Sequence, residues 1–183
     1  IDAINPRDEA FQVALAGGVT TACTGPGSAN VIGGTGIAVK LKDANSVLEQ
    51  VIPGTEVMKM ALGENPKGYY GGQKRMPMTR MGTGAVLRET LFNAQQYAEE
   101  LAAAEAEGKP FKHNFKLDPL VPVVRGEMRC RIHCHRADDI YRYPLDSKII
   151  DCLCFCTKNP KQMLFPIVQG NFYADLRLKS LEE

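Results

Sequence analysis

The longest regular pattern in the chain lies in the stretch TGAVLRETLFNAQQYAEELAAAEAEGKP, residues 83–110. Ala, Leu, Glu and Gln, which favour helices, dominate this stretch. Its apolar side chains recur at helical spacing, at Val86, Leu87, Leu91, Ala94 and Ala98. Gly108 and Pro110 then interrupt the pattern. The stretch therefore predicts a helix over residues 83–107 that packs its apolar side against another element.

Short apolar segments lie on both sides of this helix and predict strands. They cover residues 19–23, 37–41, 56–62 and 131–135. Further helices are predicted over residues 8–16 and 118–124. The glycine-rich residues 24–36, apart from the apolar pair 31–32, predict a loop, and the basic stretch 67–82 predicts a second, long one. Strands separated by helices or long loops indicate an α/β fold with a mostly parallel sheet.

The composition narrows the classes of function. The chain has 183 residues, 44% of them hydrophobic, and a formal net charge of +1. Such a balanced charge gives no field that would attract nucleic acid or an anionic membrane, and no segment is apolar enough to span a bilayer. We therefore predict a soluble, cytoplasmic protein with neither partner. The six cysteines predict reduced thiols, because disulfide scaffolds are shorter and denser in cysteine.

The chain changes character after residue 140. Residues 141–183 lack a clear amphipathic helix, and their apolar runs 149–155 and 163–168 predict strands. Three cysteines alternate there, at Cys152, Cys154 and Cys156. We interpret residues 141–183 as a divergent segment of unknown role or the product of a shifted reading frame. The first residue is Ile1 rather than Met, so we expect an incomplete or processed chain.

The sharpest chemical feature is His133-Cys134-His135 at the end of an apolar strand. Imidazoles two residues apart on a strand point to the same side, so both can reach a metal at the strand's carboxyl end. A divalent site normally needs three or four ligands. Cys134 points to the opposite face, and His113 is isolated. The alternative is a pair of histidines satisfied by ordinary hydrogen bonds.

Several long blocks of the sequence, in order, resemble the amidohydrolase superfamily in its imidazolonepropionase-like branch. The blocks are IDAINPRD (1–8), GVTT (18–21), TGPGSANVIGG (24–34), MKMALGENPK (58–67), MPMTRMG (76–82) and IHCHRADDI (132–140). The resemblance covers about residues 1–140 and implies part of a (β/α)₈ TIM-like barrel. It also implies a small-molecule substrate whose amide or cyclic amide bond is hydrolysed by metal-activated water.

The resemblance assigns candidate metal ligands only where the chain has matching residues. His133 matches the metal-binding histidine of the fifth barrel strand, and His135 is a second candidate. Lys59 lies where members with two metals place a bridging carbamylated lysine, with Glu64 as a weaker substitute; a lysine that simply extends to solvent is the alternative. The family's paired histidines of the first strand would precede Ile1, and its catalytic aspartate would follow Ile140. We therefore predict a divalent metal, most simply zinc, in an incomplete site, and no catalytic residue is assigned.

Two other functions remain open from the sequence. A partial barrel leaves strand edges and apolar faces uncovered, which predicts a non-catalytic binding or assembly module that forms a homo-oligomer. A small Cys/His metal-binding protein, built on His133, His135 and the cysteine triplet, is the other alternative. Neither alternative needs amide hydrolysis.

Overall fold

The computed structural model describes residues 1–136 and 139. Within them lie the helices α1 (Glu9–Ala16), α2 (Glu64–Gly72), α3 (Arg80–Glu107) and α4 (Val121–Val124) and the strands β1 (Thr21–Thr24), β2 (Ile32–Lys40), β3 (Val57–Ala61) and β4 (Arg129–His133). Short 3₁₀ turns occupy Val47–Glu49 and Asp118–Leu120. The strands predicted at 149–155 and 163–168 and the cysteine triplet lie outside the described residues. The mixed α/β class is confirmed.

The predicted long helix is confirmed and begins three residues earlier than expected, at Arg80. Thr79 caps its start, because the hydroxyl oxygen of Thr79 accepts a hydrogen bond from the backbone N–H of Gly82 at 3.0 Å. Gly108 ends it with a φ of 65°, a left-handed conformation that glycine adopts without steric cost. Local capping therefore fixes both ends of α3.

The prediction of a mostly parallel sheet is wrong for the described residues. The strand order is β1-β2-β3-β4, with β3 and β4 parallel and the other neighbouring pairs antiparallel. Parallel neighbours need a crossover of a dozen or more residues, usually helical. Residues 62–128 provide one between β3 and β4, with α3 inside it, whereas residues 25–31 are too few to provide one between β1 and β2.

The glycines at 33–36 belong to β2 rather than to the predicted loop. A Cβ atom on Gly36 would lie 2.8 Å from the carbonyl oxygen of Thr24. Glycine therefore allows the turn after β1 to approach β2 closely. Gly34, with a φ of 119°, lies where the register between β2 and β3 shifts.

The predicted loop over residues 67–82 is largely helical, because it contains the end of α2 and the start of α3. Pro66 had suggested that Asn65 was outside any helix, yet both residues lie in the first turn of α2. The first N–H groups of a helix have no partner within the helix, so proline is tolerated there. Only residues 73–79 separate the two helices.

The largest core lies between α3 and one face of the β3–β4 pair. Met58 and Met60 of β3 pack with Leu87 and Leu91 of α3, and Ile132 of β4 packs against this cluster. The sheet also curls. As a result, the guanidinium of Arg131 on β4 lies 3.6 Å from the Sγ of Cys23 on β1, although these two strands are at opposite ends of the strand order. The described residues form part of a curved sheet rather than a closed barrel.

Candidate metal and substrate site

The open face of the β3–β4 pair carries the polar side chains. Residues alternate between the two faces of a strand, so Lys59, Arg131 and His133 lie opposite the buried Met58 and Met60 and the partly buried Ile132. In the parallel register, Lys59 pairs with Arg131 and Ala61 pairs with His133. The backbone N–H of Leu62 donates to the carbonyl of His133 at 2.7 Å, which holds the carboxyl end of β4 against β3.

The structure brings His133 and His135 together at the carboxyl end of β4. Their Nε2 atoms are 3.3 Å apart, and their ring centroids are 4.6 Å apart with an interplanar angle of 72°. Asn65, at the start of α2, places its Nδ2 atom 3.4 Å from Nε2 of His133. His133 is half-buried, whereas His135 is exposed.

The surroundings of His133 favour its neutral form. Burial lowers the pKa of its imidazole, and the positive charges of His135 and Lys59 lower the pKa further. A neutral imidazole keeps a lone pair on one ring nitrogen, which is the form that binds a metal. His133 is thus suited to be a ligand at neutral pH.

Lys59 does not make a hydrogen bond to either imidazole among the described contacts. Its ammonium donates to the hydroxyl of Ser28 at 2.8 Å and to the carbonyl of Met60 at 3.1 Å. Burial lowers the pKa of Lys59, and the neighbouring charge of Arg131 lowers it further. Lys59 lies on the same face as His133, on the neighbouring strand. Its ammonium is held by two neutral partners.

The other candidates are placed away from the imidazole pair or are already paired. The carboxylate of Glu64 forms an ion pair with Lys67 at 2.7 Å, which lowers its pKa. Cys134 packs against the core on the other face, as predicted, and burial raises the pKa of its thiol. His113 contacts Asp118 at 3.1 Å. Within residues 1–136 and 139, no three His, Cys, Asp or Glu side chains are close enough together to hold a metal ion.

Sequence reasoning missed the polar neighbours Asn65, Ser28 and Arg131. Asn65 lies shortly after β3, and a polar residue just beyond the carboxyl end of a strand is a signal for a site. Arg131 shares the two-residue alternation of His133, so it could have been assigned to the same face. Ser28 lies in a loop between β1 and β2, and only the folding of that loop brings it to Lys59.

Comparisons with known proteins agree with the blocks identified in the sequence. No protein-family model matches the chain. The chain is 42% identical to a crystallised amidohydrolase from Thermotoga maritima MSB8, with a TM-score of 0.72 over 76% of this chain and 37% of that one. These comparisons support an amidohydrolase-superfamily segment within the matched part of this chain.

A curated relative gives the same family at greater distance. The amidohydrolase tasK of Hapsidospora irregularis is 29% identical over a 160-residue alignment that covers 76% of this chain and 16% of that protein. The chain thus spans well under half the length of either amidohydrolase. The likeness to the Thermotoga structure supports a TIM-barrel-like fold, of which the described residues contain a part. In the described part of the chain, no helix has the length and apolar character needed to cross a membrane.

Proposed function

We propose that the chain contributes part of a metal-dependent amidohydrolase site, with His133 and His135 as ligands of a divalent metal, most simply zinc. The observation that carries the proposal is the 3.3 Å separation of their Nε2 atoms. Two nitrogens bound to one tetrahedral zinc at the usual bond length are about 3.3–3.4 Å apart. The distance between the two Nε2 atoms therefore matches that of two ligands of one zinc ion.

The residues around the pair support this role. Burial lowers the pKa of His133 and so favours its neutral form, and the hydrogen bond between the N–H of Leu62 and the carbonyl of His133 fixes the end of β4. The Nδ2 atom of Asn65 lies 3.4 Å from the same Nε2 atom that would bind the metal, so a bound metal would take the place of this contact and leave the amide available to a substrate. A divalent metal, when bound, supplies a Lewis acid that lowers the pKa of water and polarises an amide carbonyl.

The substrate class that we propose is a small molecule with an amide or cyclic amide C–N bond. This substrate class is supported by the similarity of the matched segment to amidohydrolases and by the resemblance of its sequence blocks to the imidazolonepropionase-like branch. Lys59 is proposed as a further ligand only if it is carbamylated, because the unmodified amine is held by Ser28 and Met60. No residue of the described part is assigned as the catalytic acid or base.

Activity of this chain alone is expected to be absent or very weak. Water activation by zinc normally requires about three protein ligands, and the described residues bring together two histidines. We therefore expect zinc binding without amide turnover. Residues 141–183 are proposed to be a separate segment of unknown role.

The decisive experiment is a zinc titration of the full chain by calorimetry, followed by an amide hydrolysis assay of the zinc-loaded protein. We expect one zinc per chain, with affinity reduced by at least about 100-fold in His133→Ala, since a ligand contributes more than the 10- to 100-fold typical of its supporting residues. His113→Gln is the matched control, because His113 contacts Asp118 and lies outside the pair. Equal zinc affinity in all three proteins would refute the proposed ligand role.

Assembly into a homo-oligomer is a second proposal, favoured by exposed apolar side chains. Met81 and Phe92, on one side of α3, are 82% and 50% exposed, and Phe115 is 96% exposed. Large exposed apolar groups are typical of surfaces that contact other proteins. Light scattering should show a multimer that dissociates in Phe92→Glu, and a monomeric wild-type chain would contradict this proposal.

A further inference from the structure

Lys59 and Arg131 form a pair of neighbouring cations on the open face of the sheet. They are direct partners in the parallel register of β3 and β4. The charge of Arg131 acts on the ammonium of Lys59, so the two groups are within electrostatic range. Like charges on adjacent strands destabilise a sheet unless something offsets the repulsion.

No carboxylate offsets these charges among the described residues. Neither Lys59 nor Arg131 takes part in the ion pairs found there, which include those of Lys67 with Glu64, Arg80 with Asp139, Lys109 with Glu107 and His113 with Asp118. Lys59 donates to a hydroxyl and a carbonyl, and Arg131 donates to the Sγ of Cys23, which is a weak acceptor. Both cations thus have neutral partners in the described residues.

The two cations line a small pocket of about 250 Å³. Cys23, Thr24 and Gly25 form its opposite wall, and Gly36 lies beside them. A Cβ atom on Gly25 would lie 2.9 Å from the Cα of Gly36, so the backbones touch there and close that side. The curl of the sheet therefore builds a concave site around two positive charges.

The pocket is adjacent to the proposed metal site. Arg131 and His133 are two positions apart on one strand and lie on the same face, which corresponds to a distance of about 6.5–7 Å along the strand. A molecule with an amide at the imidazole pair can therefore reach Arg131 with a group a few bonds from that amide.

We propose that Arg131 and Lys59, the latter in its unmodified cationic form, bind a small oxyanion, a carboxylate or phosphate group, and that this group is carried by the amide substrate. The guanidinium can form paired hydrogen bonds to such a group, and the ammonium adds a second charge. The assignment of the anion to the substrate rests on the proposed hydrolase function, whereas anion binding itself does not. The pocket would thus select anionic amides over neutral ones.

Anion binding is tested in the metal-free full chain with inorganic phosphate, measured by calorimetry. Arg131→Gln is expected to weaken binding by at least about 10-fold, since it removes the charge-assisted hydrogen bonds of the guanidinium to the anion. Arg131→Lys should restore part of it. Arg129→Gln, two residues earlier on β4 and outside the pocket lining, should bind phosphate as the wild type does. Absent phosphate binding, or equal binding in Arg131→Gln, would overturn the anion site.

A second arm identifies the source of the anion, with N-acetylglycine, its neutral amide and acetate as probes for the zinc-loaded chain. An anion carried by the substrate predicts that N-acetylglycine binds at least about 10-fold more tightly than either comparison compound, because it contacts both sites. This advantage should disappear in Arg131→Gln and in His133→Ala. Equal binding of acetate and N-acetylglycine would overturn the substrate assignment and identify a free anion. Loss of zinc binding with retained phosphate binding would instead refute the hydrolase proposal alone.

Discussion

The two faces of the β3–β4 pair differ in chemistry although they alternate residue by residue along the same strands. One face buries Met58 and Met60 against α3, with Ile132 partly buried beside them. The other presents Lys59, Arg131 and His133, two cations and an imidazole whose neutral form is favoured by burial. The comparison teaches that stability and the proposed function are separated by a single residue step, so substitutions on one face should leave the property of the other face intact.

The largest effect is expected from a substitution on the core face. Met60 is fully buried, so Met60→Ala should lower the free energy of unfolding by about 2–5 kcal/mol through lost burial and a cavity. Met81→Ala, at an exposed position, should change it by less than about 0.5 kcal/mol. Chemical denaturation measures both. A Met60→Ala protein that is as stable as the wild type would show that α3 does not pack on this face.

The next effect concerns zinc and the open face. Zinc at 100 times its dissociation constant should stabilise the wild-type chain by about 2.7 kcal/mol, because the metal binds the folded state. His133→Ala should lose this gain, whereas Met60→Ala should keep it despite its lower starting stability. Thermal unfolding with and without zinc provides the measurement. If zinc stabilised His133→Ala as much as the wild type, the proposed metal site on the open face would be wrong.

A smaller effect is expected from pH in the absence of metal. The pKa of His133 is lowered from 6.5 in the folded state, so the unfolded chain binds a proton more readily. This contribution to stability is complete above pH 6.5 and falls as the pH drops through the lowered pKa. The loss should stay below about 1 kcal/mol, because the ring is partly solvated.

Denaturation of wild type and His133→Gln between pH 7.5 and 5 tests this prediction. The difference in free energy of unfolding between the two proteins should change with pH in the direction given, with the wild type losing more stability in acid. A difference that stayed constant across this range would contradict the burial of the imidazole.

The smallest effect is expected at Lys59. Its pKa is lowered from 10.5 by burial and Arg131, so its charged form is disfavoured in the folded state near neutral pH. Lys59→Met should therefore raise stability there by a few tenths of a kcal/mol, at most about 1. The gap should close as the pH rises toward 10.5, because the wild type gains stability once Lys59 deprotonates in the folded state.

Urea denaturation at pH 7 and pH 10 measures this change, with Lys112→Met as an exposed control. A clear loss of stability in Lys59→Met at pH 7 would show that its hydrogen bonds to Ser28 and Met60 outweigh the cost of its burial. In that case Lys59 would stabilise the open face, and its positive charge would not distinguish that face from the stabilising core face.

The sequence predicted the elements whose signals are local. Helix α3 followed from helix-forming residues between Thr83 and Glu107, and the ends of β3 and β4 were placed within two residues. Helix α2 was missed because the signals of Asn65, Pro66 and several glycines oppose a helix. The glycines of β2 were taken for a loop because their role, close approach of two backbones, depends on residues distant in sequence.

By itself, the sequence determined which residues share a face of a strand, because alternation along a strand is a local property. Its ordered blocks also carried the resemblance to the amidohydrolase superfamily. It thus placed His133 and His135 on one side of a strand and Cys134 on the other. Only the tertiary structure decided the antiparallel pairing of β1 and β2, the 3.3 Å approach of the two imidazoles and the arrangement of Arg131 with Lys59 over a curled sheet. Those features depend on which strands pair and how loops close, and such long-range contacts leave no periodic trace in the chain.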